Sequence, residues 1–269
     1  MSEPWRKHLA ALGKDASARP ASKPLFAPVI FSGAAQIEAV DARDMLEDAT
    51  LLGKCLNGTR QLLNLDCLYV CAPSEAEAEA AKSDNPAAQP RLAAGIEVCQ
   101  RLSDTEGDRL ALLAGLTGPA ALATRLMAGQ DVDDIEDYYE QASAGLLALV
   151  KALGEAGCSG IWFQENAAPG DADDEREIWE DSLTPIVNVA RFHKLPVFVS
   201  FTEHEPDECP AGVIVCASGG GDSAAGLLPA DWNTWNELPG DCQIVLTPAE
   251  VDPAVKLADL REQIGRMAG

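Results

Sequence analysis

Basic residues are scarce in this chain. It contains 20 lysines and arginines against 43 aspartates and glutamates, which gives a net charge of −23 at pH 7. A surface this acidic repels phosphate backbones and anionic membranes, so the composition argues against nucleic acid and against a membrane as partners. The few bases are unevenly distributed, because five of them fall within the first 23 residues: Arg6, Lys7, Lys14, Arg19 and Lys23.

Long apolar runs are also lacking. No stretch approaches the roughly 20 apolar residues that are needed to cross a bilayer. The amino terminus lacks the apolar core of a secretory signal. The 8 cysteines include no Cys-x-x-Cys pair, and several lie inside apolar runs, where reduced buried thiols are common. We therefore expect a cytoplasmic protein without a disulfide framework.

The sequence does contain regularly spaced apolar segments. Its 269 residues, 47% of them hydrophobic, suffice for one (β/α)8 barrel, a fold of about 250 residues. Helical patterns alternate with the apolar runs and are clearest over residues 134–153 and 174–194. Eight short apolar runs are candidate strands, at residues 27–31, 66–70, 110–114, 160–163, 196–201, 212–216, 226–228 and 243–246.

The chain divides into an amino-terminal arm and this barrel. Residues 1–24 are rich in Ala, Ser, Pro and Lys and contain one short amphipathic helical pattern near residues 5–12. We assign them to an arm and residues 25–269 to the barrel. Only about 25 residues separate Cys216 from Gln243, so the helices between strands six and eight must be abbreviated.

One segment carries a family resemblance. The apolar run at residues 109–114 suits a buried strand, and Gly118-Pro119 then begins a helical pattern that ends at Gly129. This segment resembles the third βα junction of the uroporphyrinogen decarboxylase superfamily, which includes the corrinoid-linked methyltransferases. Further segments resemble the same family, so that the likeness extends over roughly residues 25 to 265: residues 41–53, 65–71, 155–163, 195–201 and 251–253.

In such a barrel the chemistry takes place where the strands reach their carboxyl ends. Glu165 follows the fourth strand, and apolar neighbours would raise its pKa into the range of a general acid or base. Cys71 ends the second strand and is the other catalytic candidate. Polar side chains at strand ends are candidates for substrate binding: Gln36, Thr117, Gln164, Asn166 and Ser218.

The resemblance to the methyltransferase branch implies zinc. There the metal activates a thiol, whose thiolate attacks the methyl group of a corrinoid presented by a partner protein. The aligned ligand positions hold Val199 and Phe201 here, but His204, Cys209 and Cys216 lie nearby and would form a displaced site for a soft metal. The alternative is that His204 is a solvated loop residue and the cysteines are small core residues.

The decarboxylase branch implies an Arg-rich segment after strand one and an Asp after strand two. This chain has residues 31–36 and 71–73 there, without either feature.

Three hypotheses remain open. The first is methyl transfer from a corrinoid-type or other donor to a thiol or small acceptor. The second is decarboxylation of a uroporphyrinogen-like tetrapyrrole acid, with basic residues supplied by the arm or a partner subunit. The third is a non-catalytic binding or scaffold barrel. Dimers are common in the family, so the resemblance also implies a homodimer.

Overall fold

The computed structural model describes residues 4–15, 23–130, 134–166, 173–203, 206, 209–217, 223–237, 242–254 and 256–268. Eight parallel strands form a nearly closed barrel in the order β1-β8-β7-β6-β5-β4-β3-β2, with β1 and β2 as its two edges. The strands are β1 (Leu25–Val29), β2 (Cys67–Cys71), β3 (Ala111–Thr117), β4 (Gly160–Glu165), β5 (Val197–Phe201), β6 (Val213–Ala217), β7 (Ala225–Leu227) and β8 (Ile244–Glu250).

Helices connect the strands and cover the outside of the barrel. They are α1 (Trp5–Leu12), α2 (Phe31–Ile37), α3 (Ala42–Glu47), α4 (Ala49–Leu63), α5 (Ala76–Ala81), α6 (Pro90–Glu106), α7 (Pro119–Met127), α8 (Ile135–Glu155), α9 (Asp173–Phe192) and α10 (Leu257–Ala268). Short 3₁₀ turns occupy Pro86–Ala88, Gly107–Arg109 and Trp232–Thr234. The structure therefore confirms the predicted (β/α)8 architecture.

Most of the strands are buried on both faces, whereas β6 alternates between buried and partly buried residues. Every residue of β2, β3 and β5 is buried, because side chains fill the barrel interior on one face and helices pack against the other. This explains why the strands are continuous apolar runs in the sequence rather than alternating ones. Each predicted strand overlaps an observed one, and β8 continues four residues beyond the predicted end, to Glu250.

Helix α1 covers the amino-terminal end of the barrel. Its Trp5, Leu9 and Leu12 are buried in the core. Arg6 donates hydrogen bonds of 2.8 Å from Nη1 to Ser103 Oγ and of 2.8 Å from Nη2 to the Gly157 carbonyl, which lies just before β4. The predicted helix therefore has the expected bounds, and its apolar side chains pack against the barrel.

The connection between β7 and β8 is short, as the spacing predicts. In its described residues the 3₁₀ turn at Trp232–Thr234 takes the place of a full helix. Trp235 follows this turn, is buried, and donates from Nε1 to the Pro229 carbonyl at 2.7 Å. Within the described ranges, the structure has no helix that is both long and apolar enough to cross a membrane.

Candidate active site

A cavity of about 280 Å³ opens at the carboxyl ends of β1, β4 and β8. This volume lies just below the range of about 300–1,000 Å³ that is typical of ligand pockets. We call it the mouth cavity. Its walls combine an indole ring, apolar side chains and four polar residues, and they include Pro73, Trp162, Ser32, Arg91, Gln164 and Glu250. The mouth cavity therefore suits one small organic molecule with polar groups.

Trp162 supplies the aromatic wall of the cavity. Its Nε1 donates to Ser200 Oγ at 2.9 Å, and its ring centroid lies 5.6 Å from that of Tyr69 in the barrel interior. Gly115 on β3 gives the ring its space, because a Cβ atom there would lie 2.8 Å from a Trp162 ring carbon. The indole is thus held by a hydrogen bond and by close packing.

A carboxylate and an amide have fixed positions in the same cavity. The backbone N–H and the hydroxyl of Ser32 both donate to the carboxylate of Glu250, with an Oγ···Oε2 distance of 3.0 Å. Gln164 donates from Nε2 to the Pro248 carbonyl at 2.8 Å. Glu250 and Gln164 are only partly buried, so a molecule in the cavity can reach them.

Arg91 brings a positive charge to the cavity from the first turn of α6. It is half-buried and forms no hydrogen bond or ion pair within the part of the chain that the structure describes. Arg125, which comes from α7, is by contrast hydrogen-bonded within the fold. Its Nη1 donates to the Ser74 carbonyl at 2.8 Å and to Thr117 Oγ1 at 3.0 Å.

Glu165 does not face the mouth cavity, contrary to the sequence-based interpretation. Strand side chains alternate, and Gln164 lines the cavity while Glu165 points to the helices outside β4. Its Oε1 accepts from the Ala120 N–H at 3.1 Å and from Trp179 Nε1 at 3.0 Å, and its Oε2 accepts from the Ala121 N–H at 2.8 Å. The carboxylate therefore caps the amino terminus of α7.

The environment of Glu165 is tightly packed. Burial raises the pKa of its carboxyl to about 7, and the three N–H donors oppose the rise. A Cβ atom at Gly118 would lie 2.2 Å from the Glu165 carboxyl carbon, so only glycine fits at that position. The raised pKa that the sequence suggests is therefore found, but on a carboxyl that is fully buried and bonded within the fold.

The structure separates the other predicted site residues. Burial raises the pKa of the Cys71 thiol well above its ordinary value, which favours the neutral thiol over the nucleophilic thiolate. Thr117 is buried and accepts from Arg125. Gln36 is exposed on α2, and Asn166 is exposed beyond β4, where its carbonyl accepts from Thr202 Oγ1 at 2.7 Å. Ser218 lies outside the described residues.

The predicted zinc ligands are described only in part. Cys216 is fully buried within β6, and Cys209 is partly buried against the core. His204 lies outside the described residues. Among the residues that are described, no three His, Cys, Asp or Glu side chains are placed to hold a metal ion. The described donors alone therefore do not complete a zinc site.

Of the four polar residues of the mouth cavity, the predicted site residues include only Gln164, whereas Ser32, Arg91 and Glu250 are absent from them. Glu250 has no signal in the apolar pattern, because the apolar run of the last strand ends at Leu246 while the strand itself continues to Glu250. Arg91 was overlooked because it belongs to a helix rather than a strand end. The available signal was that α6 begins at Pro90, which places its first turn at the mouth.

Comparisons with known proteins show a structural relative that shares the fold, but no relative by sequence. No protein-family model and no curated protein sequence matches the chain. Among solved structures, a methyltransferase from Methanosarcina mazei matches with a TM-score of 0.70 at 13% identity, over 98% of this chain and 98% of that chain. A chain from Aquifex aeolicus VF5 matches with a TM-score of only 0.31 at 13% identity, over 100% of this chain and 98% of that chain. The first match shows that the two proteins share the (β/α)8 fold over their whole length.

Proposed function

We propose that this protein is an enzyme that transfers a methyl group to a small acceptor bound in the mouth cavity. The observation that carries the proposal is Glu250, an accessible carboxylate that Ser32 fixes inside a small cavity at the carboxyl end of the barrel. This is the end at which (β/α)8 enzymes act. The full-length fold match to a protein described as a methyltransferase supports the choice of reaction.

Glu250 would act as the general base. The acceptor carries a nucleophilic atom bearing hydrogen, and its proton passes to the Glu250 carboxylate. The freed electron pair forms the new bond to the methyl carbon, while the bond from that carbon to the donor breaks and its electron pair leaves with the donor. The two hydrogen bonds from Ser32 keep the carboxylate in place, and Trp162 limits the space around the acceptor.

The family resemblance implies that a corrinoid on a partner protein supplies the methyl group. Zinc bound by His204, Cys209 and Cys216 is a separate proposal, in which the metal lowers the pKa of a thiol acceptor. Among the described residues, no group of three His, Cys, Asp or Glu side chains could hold the metal ion. In the methyl transfer that we propose, the proton of the acceptor passes to Glu250.

The size of the mouth cavity favours a small acceptor over a tetrapyrrole acid. A volume of about 280 Å³ falls short of the usual range even for drug-sized ligands. A molecule with many carboxylates also needs several cations, whereas Arg91 is the one basic residue among the described residues that line the cavity. Decarboxylation of a uroporphyrinogen-like substrate is thus less well supported than methyl transfer.

The test is a methyl-transfer assay with methylcobalamin and a panel of small thiols and amines. The absorbance of methylcobalamin and the mass of the product report transfer. Glu250→Gln should lower the rate by about 100-fold or more, in the range of a lost general base. Glu97→Gln removes the same charge from an exposed position on α6 and should leave the rate unchanged.

Two outcomes would contradict the proposal. If Glu250→Gln transferred the methyl group at the wild-type rate, Glu250 could not be the general base. No transfer by the wild-type protein to any acceptor in the panel, with methylcobalamin or with a sulfonium donor, would favour the scaffold hypothesis instead.

A further inference from the structure

Arg91 is a half-buried cation that has no hydrogen-bond or ion-pair partner among the residues that the structure describes. It lines the mouth cavity. Arg60 shows the usual arrangement in this protein, because its side chain is 21% exposed and lies 3.0 Å from the carboxylate of Glu106. A guanidinium that loses part of its hydration without gaining a counter-ion is unfavourable. Such a group is a strong indication that an anionic ligand completes the site.

Two candidate counter-ions, Glu250 and Cys71, do not pair with Arg91. Glu250 lines the same cavity, but its carboxylate accepts from the N–H and the hydroxyl of Ser32 and forms no ion pair with Arg91. Cys71 is close enough for Arg91 to lower the pKa of its thiol, but burial outweighs this effect and keeps the pKa well above the ordinary value. Cys71 is therefore neutral, and Glu250 shares the cavity with Arg91 without forming a direct ion pair with it.

We propose that Arg91 binds a carboxylate of the acceptor and so selects a small organic acid. A guanidinium presents a planar fork of N–H donors that matches the two oxygens of a carboxylate. Arg91 and Glu250 line the same small cavity as a separate cation and anion. Such a cavity fits a molecule with its anionic group at one end and its nucleophilic atom at the other.

A carboxylate fits this cavity better than a phosphate does. Glu250 adds a negative charge to the cavity, and its repulsion grows with the charge of the ligand. A singly charged carboxylate meets less of this repulsion than a doubly charged phosphate. The identification of the ligand as the methyl acceptor rests on the proposed function, whereas the anion site does not.

The experiment is a calorimetric titration without any methyl donor. The probes are 3-mercaptopropionate and its neutral analogue 3-mercapto-1-propanol, which share the same thiol. The wild-type protein should bind the acid at least about tenfold more tightly than the alcohol. This ratio is what the free energy of one hydrogen bond to a charged group would produce. Arg91→Gln should bring the ratio of the two affinities close to one, and Arg91→Lys should retain part of it.

Arg101→Gln is the matched control. It removes the same charge from the same helix, and Arg101 is exposed and paired with Glu97, so the wild-type ratio should persist. Circular dichroism verifies that each variant is folded. Equal binding of the two probes by the wild type, no detectable binding of the acid, or an unchanged ratio in folded Arg91→Gln would overturn the proposal. Tighter binding of methyl phosphate than of 3-mercaptopropionate would overturn the choice of a carboxylate.

The outcomes also separate the two proposals. If the preference for the acid is found and depends on Arg91 while no methyl transfer occurs, the anion site stands and the proposed function fails. If methyl transfer occurs with neutral and acidic acceptors alike and is unaffected by Arg91→Gln, the proposed function stands and the anion site fails.

Discussion

Replacing Glu165 with glutamine should change the way in which the stability of the protein depends on pH. Burial raises the pKa of the Glu165 carboxyl from 4.5 to about 7 in the folded state. Between these two values the folded protein holds a proton that the unfolded chain has released, so a rise in pH favours unfolding. The stabilising contribution of the proton is fully present below about pH 4.5 and is lost as the pH rises through about 7.

The size of the effect follows from the two pKa values. Each pH unit between them changes the free energy of unfolding by about 1.4 kcal/mol, which gives about 3 kcal/mol in total and about 2 kcal/mol between pH 5.5 and 8. Glutamine does not titrate. Its amide leaves the N–H of Ala121 without an acceptor and so lowers the stability by about 1–3 kcal/mol, but this loss is the same at every pH.

Urea unfolding of both proteins at pH 5.5 and pH 8 measures the difference. The stability of the wild type relative to Glu165→Gln should fall by about 2 kcal/mol from the lower to the higher pH. The other carboxyls are common to both proteins, and their contributions cancel. Glu97→Gln, which changes an exposed carboxyl, should follow the wild type. An identical pH dependence in Glu165→Gln and the wild type would refute the reasoning, because the carboxyl would then have the same pKa in the folded and unfolded states.

Three further predictions concern packing and metal. Gly118→Ala should lower the free energy of unfolding in urea by about 2–3 kcal/mol, because the new Cβ overlaps the Glu165 carboxyl. Leu9→Ala should cost about 3 kcal/mol and speed proteolysis near α1, since Leu9 is fully buried; unchanged proteolysis would contradict the packing of α1 on the barrel. The zinc proposal predicts about one zinc per chain by elemental analysis after anaerobic purification, lost in His204→Ala and in Cys209→Ser. A wild-type protein without zinc would reject it.

The barrel was predictable because most of its strands are buried on both faces. Helices cover a parallel strand of this kind, so it appears as a short apolar run, such as residues 110–114 for β3. The number of the strands follows from such runs. Their ends do not, because a strand continues as long as its backbone pairs, whatever the polarity of its residues. β8 thus reaches Glu250, and a residue of the candidate site was missed.

The site was less predictable. Its residues are determined by the side of the strand to which each side chain points and by how closely the helices pack on the strands. Gln164 and Glu165 are both polar and both end β4, and nothing in the apolar run before them indicates which one faces the barrel interior. Because side chains alternate along a strand, a shift of one residue exchanges the side chain that faces the cavity for the one that faces the helices. Arg91 reaches the cavity because α6 packs closely on β2, where a Cβ at Gly95 would lie 2.8 Å from the Val70 carbonyl. Close contacts of this kind between distant segments leave no periodic signal in the sequence.

The carboxylate of Glu165 also joins separate parts of the chain into one cooperative unit. It starts from β4 and bonds two amides of α7 and the indole of α9, all of them out of contact with water. Local opening of either helix would strip these partners from a buried carboxylate. The amides of Ala120 and Ala121 should therefore exchange hydrogen only when the whole sector from β3 to α9 unfolds, which would make them slow reporters of sub-global unfolding.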